Sequence, residues 1–216
     1  MSVVCYDGEY LAGDRKSRVT GKDGVKRVKS LTQEKITADF KKTIFDGEEV
    51  YAVGRAGRLR VTKEMIRHLR RSKDLAKTLK DTLGNKLRKT FEDGGMGPSS
   101  LLIVTSDHVH HVKVNSKFEV TWKKEHRSKK MAIGSGARIA LFLMEHQGLS
   151  AIDAVAAMEL HHPCCGGGVT YTSRLQSASD EPIRALTFSG RRTLVRHFLK
   201  STIESAKNKL VSLPNY

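Results

Sequence analysis

The chain has 216 residues, with 39 Lys and Arg against 23 Asp and Glu and a formal net charge of +16. That length suits one sizeable domain spanning 1–216, and 38% hydrophobic with 29% charged residues argues against wholesale disorder. No stretch approaches the roughly 18 uninterrupted apolar residues of a membrane span, no basic-then-apolar leader is visible, and three cysteines do not suit a disulfide scaffold, so the reading is soluble, cytoplasmic and unusually basic.

Residues 2–7 and 10–13 read as two short strands joined by the turn Asp7-Gly8. Further strands are expected at 25–31, 35–40 and 49–53, punctuated by Asp23-Gly24 and Asp46-Gly47. The period then changes. Met65, Leu69, Ala76, Leu79 and Leu83 recur at helical intervals, which predicts a helix that Gly84 ends or breaks, with a second piece reaching Phe91. Residues 92–100 form the clearest loop. Strands follow at 101–105, 110–114, 118–123 and 131–133, then a helix from Gly134-Ser135-Gly136 to about 147 that Gly148 caps. Ser150 opens another helix that ends before His161-His162-Pro163-Cys164-Cys165. Strands at 169–174 and 183–188 and an amphipathic helix at about 190–211 complete the chain. Strand runs alternating with helix pairs predict two stacked antiparallel sheets covered by helices.

The charge is concentrated. Between 55 and 89, on and beside the helix pair predicted at about 58–91, thirteen Lys and Arg face three acids, a net +10. Arg60, Lys63, Arg67, Arg70, Arg71, Lys73, Lys77 and Lys80 belong to this run. A second run holds Lys123, Lys124, Arg127, Lys129 and Lys130. Such clusters are what a nucleic-acid backbone or an acidic protein partner requires, and equally what a solvated helix face displays.

Four segments in this order resemble the proteasome β-subunit family, above all its bacterial HslV-type and phage-encoded relatives. They are Ser2-Val3-Val4 with Leu11-Ala12-Gly13-Asp14; Val25-Lys26-Arg27-Val28; Val53-Gly54-Arg55-Ala56-Gly57; and Ala132-Ile133-Gly134-Ser135-Gly136, followed by Leu149-Ser150-Ala151 and Pro163-Cys164-Cys165-Gly166-Gly167. The resemblance implies a four-layer αββα sandwich of the N-terminal-nucleophile hydrolase type. It further implies peptide substrates, no cofactor and assembly of copies into a ring or helical homo-oligomer. For a phage-encoded relative the compartment would be the host cytoplasm.

The implied chemistry is that of an N-terminal hydroxyl whose own α-amine, with a pKa of about 7.7–8.0, accepts its proton. By resemblance the nucleophile is Ser2 once Met1 is removed, Asp14 orients a lysine, the Gly57 amide helps hold the oxyanion, and Ser135 closes the site. The lysine position falls on Arg27, with Lys26 one residue off on the opposite strand face. Arginine supplies charge but does not give up a proton. The family's second carboxylate falls on His162.

Other features are weighed and set aside. His161, His162, Cys164 and Cys165 are adjacent pairs without zinc-ribbon spacing, so no metal site is assigned. His108 and His110 share one face of a strand and read as a polar sheet edge. Gly166–Gly168 lack a following Lys-Ser or Lys-Thr and are no phosphate loop. Trp122 reads as a half-buried strand residue rather than a base-stacking platform. Two functions remain: an N-terminal-serine peptidase, or an inactive oligomeric scaffold binding nucleic acid or an acidic protein through its basic surface.

Overall fold

A computed structural model describes residues 3–20, 26–30, 33–40, 43–71, 83–91, 97–161, 165–173 and 184–186. Its strands are β1 (Val3–Tyr6), β2 (Tyr10–Asp14), β3 (Ser17–Thr20), β4 (Lys26–Ser30), β5 (Ile36–Thr37), β6 (Ile44–Phe45) and β7 (Glu48–Ala56). They continue as β8 (Ser99–Thr105), β9 (His108–Val114), β10 (Val120–His126), β11 (Met131–Gly134), β12 (Val169–Ser173) and β13 (Arg184–Leu186). Four helices are described: α1 (Leu59–Arg71), α2 (Gly84–Thr90), α3 (Ala137–His146) and α4 (Ala151–His161). None of them is long and apolar enough to cross a membrane.

All sheet pairings are antiparallel. One sheet has the order β11-β1-β2-β12-β13; the other runs β10-β9-β8-β7-β5, with β6 on β7. The hairpin β3-β4 stands apart. Period-two alternation fills both faces of the central strands. Val4 and Tyr6 of β1 meet Ala52, Leu102 and Val104 of the second sheet, so the sheets pack face to face. Val3 and Cys5 turn the other way, against Ala140, Met144, Ala154 and Met158 of α3 and α4. Leu101 and Ile103 of β8 meet Val61, Met65 and Leu69 of α1 and Leu87 of α2. Each large apolar side chain so buried contributes about 1.5–3 kcal/mol.

Local chemistry explains the junctions. Asp7 Oδ1 accepts the Glu9 and Tyr10 amides at 2.9 and 2.7 Å and makes the first turn. Its other oxygen accepts the Ala151 amide at 2.6 Å, at the start of α4. Ser150 Oγ accepts the Asp153 amide at 3.1 Å, the expected N-cap. Gly148, at φ +66°, ends α3 as expected.

Several elements differ from the sequence reading. The strand expected at 35–40 is only Ile36–Thr37, while β7 runs on through Gly54 to Ala56. The second helical piece expected to reach Phe91 is α2, with Gly84 as its first residue; residues 72–82 before it lie outside the described residues. Glycine is needed at position 84 because a Cβ would come within 2.8 Å of the Phe118 carbonyl oxygen. His108 and His110 do not lie at a sheet edge, since β9 sits between β8 and β10. His110 is instead fully buried beside Phe45 and Trp122, and Trp122 is half-buried as expected. The helix expected at 190–211, the loop at 92–96, Lys73, Lys77, Lys80 and His162–Cys164 lie outside the described residues.

At Gly54 the two sheets approach closely: an added Cβ would overlap Val4 Cγ1 and reach Leu11 Cδ1 at 3.3 Å. Gly54→Ala therefore overpacks the inter-sheet core. Urea denaturation is expected to show a loss of about 1–3 kcal/mol.

Candidate active site

The site begins with a charge that cannot be solvated. Asp14 ends β2 with 1% of its surface exposed. Three donors reach its carboxylate: the Val3 amide at 2.8 Å and the Lys35 ammonium at 2.6 Å on Oδ1, and the Lys16 amide at 3.3 Å on Oδ2. Lys35 is 5% exposed and donates also to the Lys16 carbonyl at 2.8 Å. Burial raises the Asp14 carboxyl pKa, against the Lys35 charge and the three hydrogen bonds. Burial likewise lowers the Lys35 ammonium pKa, against the attraction of Asp14 and with a further push from Arg55. The ammonium stays paired with the carboxylate while burial moves its pKa down from the ordinary lysine value.

Lys35 was not among the residues singled out in the sequence. The backbone explains its placement. Its carbonyl accepts the Arg55 amide at 2.9 Å, and β5, which it precedes, pairs Ile36 with Gly54 of β7. A Cβ on Gly13 would come within 3.4 Å of Lys35 Cβ, so that glycine makes room for the lysine beside β2. Lys26 and Arg27 belong to β4, in the separate hairpin, and their side chains lie outside the described residues. The signal that could have found Lys35 is the charged residue directly before a short β-branched pair.

Ser135 and Gly57 each follow a strand directly. Val3 pairs with Gly134, and exposed Ser135 is the next residue in the turn leading to α3. Gly136 is buried there: an added Cβ would lie 2.8 Å from Met158 Cε and 3.3 Å from Val3 Cβ. Gly57 directly follows β7, two residues beyond the Arg55 amide that holds Lys35. Its φ of +110° and a Cβ position 2.6 Å from the Pro98 oxygen both demand glycine. Ser2 and Met1 lie outside the described residues.

A glycine turn completes the wall. Gly166, Gly167 and Gly168 all have positive φ, at +142°, +79° and +86°. Glu159 of α4 accepts the Gly167 and Gly168 amides at 3.1 and 3.3 Å. The Arg15 amide in turn donates to the Gly166 and Gly168 carbonyls at 3.0 and 3.2 Å. The turn is thus tied to the residue following Asp14, a role for Glu159 that the sequence reading did not assign.

A second polar cluster sits at the far end of β7 and β8. Glu48 accepts from Thr105 Oγ1 at 2.6 Å and the Asp107 amide at 3.0 Å, and pairs with His108 at 2.5 Å and Lys124 at 3.3 Å. Burial alone would raise its carboxyl; these bonds outweigh burial and hold it at about 2. Trp122 Nε1 donates to His110 Nδ1 at 3.1 Å, and burial lowers His110 to about 4, so it is neutral at pH 7. Among the described residues no group of three His, Cys, Asp or Glu side chains is placed to hold a metal ion.

No protein-family model matches the chain, and no curated protein matches it. Solved structures do. The two apposed antiparallel sheets with flanking helices form a proteasome-like fold. The structural neighbour that defines it is Anbu (ancestral beta-subunit) from Yersinia bercovieri. The match has TM-score 0.58 and 14% identity, and covers 100% of this chain and 99% of that one.

Two outcomes test these clusters. Lys35→Met strands a buried carboxylate and is expected to cost about 3–5 kcal/mol in urea denaturation. In the Asp14→Asn, Lys35→Met double variant, the loss should be smaller than the sum of the single losses. For Glu48, the folded pKa of about 2 lies below the ordinary 4.5, so its contribution is complete above pH 4.5 and lost as pH falls toward 2. Glu48→Gln should flatten the fall in thermal stability across that window.

Proposed function

We propose that this chain is an N-terminal-serine peptidase working as a homo-oligomer, with Ser2 as nucleophile after removal of Met1. The observation that carries this reading is the buried Lys35–Asp14 pair, bonded to the amide of Val3, the residue directly after Ser2. A buried lysine of lowered pKa, oriented by a carboxylate at the start of the chain, is what an N-terminal hydroxyl needs for activation. In this reading Lys35 takes the role the resemblance sought at Arg27 or Lys26.

The chemistry is acyl transfer. The Ser2 hydroxyl loses its proton to the free α-amine and its oxygen bonds the peptide carbonyl carbon. The positive charge of the Lys35 ammonium, held in place by the Asp14 carboxylate, favours loss of that proton electrostatically. The Gly57 amide stabilises the oxyanion, and Ser135 lies at the rim of the site. The C–N bond then breaks, the leaving amine takes the proton, and water hydrolyses the Ser2 ester. No cofactor enters the scheme.

The fold in this proposal is the four-layer αββα sandwich, with the 190–211 segment as a further helix. Self-association is supported by α3, whose outward face carries Ile139 and Phe142 at 44% and 52% exposure, with His146 stacked 4.8 Å from the Phe142 ring. Exposed apolar side chains on one helix face are what a second copy would cover.

Intact mass of the purified protein is expected to correspond to a chain beginning at Ser2, and a fluorogenic peptide panel should contain a cleaved substrate. Ser2→Ala should abolish cleavage while leaving the thermal midpoint unchanged. Retention of Met1 in the assembled protein would sink the proposal.

A further inference from the structure

Every exposed residue of α1 is a cation: Arg60, Lys63, Arg67, Arg70 and Arg71. At 3.6 residues per turn these five fall within an arc of about 100° and a row of about 16 Å. The opposite face buries Val61, Met65 and Leu69 against the second sheet, which fixes the row outward. The helix's single acid, Glu64, is buried and bound to Arg67. Arg70 is held by the Asp39 carbonyl at 3.0 Å and lies 5.1 Å over the Phe40 ring, with the Asp39 carboxylate 4.0 Å away. Arg58, just before α1, and Arg88 and Lys89 on α2 are also exposed.

We propose that this face of α1 binds the phosphate backbone of duplex nucleic acid without reading its sequence. The inference is independent of the peptidase reading. Three observations select this partner. First, the face displays no exposed aromatic or aliphatic side chain for a protein partner to enclose. Second, four of the five cations are arginines, whose planar donor fork fits phosphate oxygens bidentately. Third, single-stranded nucleic acid is held by aromatic stacking platforms, and the row offers none. A duplex carries one charge per ~1.7 Å of axis, so a ~16 Å row meets more phosphates than it can neutralise.

The second basic run of the sequence does not extend this surface in the same way. Lys124 is engaged by Asp46 and Glu48, Lys123 by Glu125, and Lys130 by the Met144 carbonyl. Arg127 reaches the Ser106 carbonyl at 3.5 Å, and Lys129 is exposed. Most of these cations are thus partnered by groups of their own chain.

The test is fluorescence anisotropy with a labelled mixed-sequence duplex across a salt series. For about four to five phosphate contacts, log K should fall against log salt with a slope of about −4. The variant Arg60→Ala, Lys63→Ala, Arg70→Ala, Arg71→Ala leaves the Arg67–Glu64 pair in place and should bring the slope close to zero, with at least about 100-fold weaker binding at low salt. A matched variant removing four exposed lysines elsewhere, at Lys113, Lys117, Lys123 and Lys129, should keep the affinity within about threefold. Unchanged circular dichroism and thermal midpoint of the α1 variant exclude misfolding as the cause. Equal losses in both variants would overturn the proposal in favour of bulk charge. Tighter binding of a single strand, or equal competition by poly-glutamate, would overturn it in favour of those partners.

Discussion

The Asp14–Lys35 pair is the constraint around which the first sheet, the start of the second and the glycine turn are arranged. Two charges taken out of water cost several kcal/mol each unless their remaining lone pairs and protons are satisfied. That demand draws β1 in through the Val3 amide, the segment after β2 through Lys16, and β5 through the lysine's own backbone. A Cβ at Gly13 would sit 3.2 Å from Val4 Cγ2 and 3.4 Å from Lys35 Cβ, so glycine keeps β2 close to both. A lysine held this tightly is also one whose pKa burial lowers, against the attraction of the carboxylate beside it.

Asp14 was legible in the sequence and Lys35 was not, for a physical reason. An acid directly after an apolar strand ending in Ala-Gly has only a local environment to be read from. The partner of that acid, by contrast, depends on which later strand comes back beside it. Residues 26–30 look like a strand and are one, but they pair only with β3 in a hairpin outside both main sheets. Lys35 precedes a strand of two residues, too short for periodicity to register. The histidines of β9 illustrate the same limit. Alternation placed His108 and His110 on one face correctly, yet the burial of His110 follows from β8 and β10 on either side, which no spacing within β9 encodes.

Glycines carry a similar mixture of local and distant causes. The close approach of α2 to the Phe118 carbonyl, which excludes a Cβ at Gly84, depends on a segment more than thirty residues away. Gly148 was legible as a helix cap because its positive φ is a local backbone requirement. Charge was the most legible property of all: the outward cationic row of α1 follows directly from the helical period. What the sequence could not reveal was that most of the later basic run closes on acids and carbonyls of its own chain.

The position of β1 in its sheet bears on how the chain folds. Its neighbours are β2 and β11, and β2 is flanked in turn by β12. Asp7, in the turn between the first two strands, completes its hydrogen bonding only with an amide 144 residues further along. Of the two neighbours of β1, β2 follows at once in the chain, whereas β11 is supplied by residues 131–134. Enclosing β1 between its neighbours thus joins segments far apart in the chain, the kind of contact that slows folding.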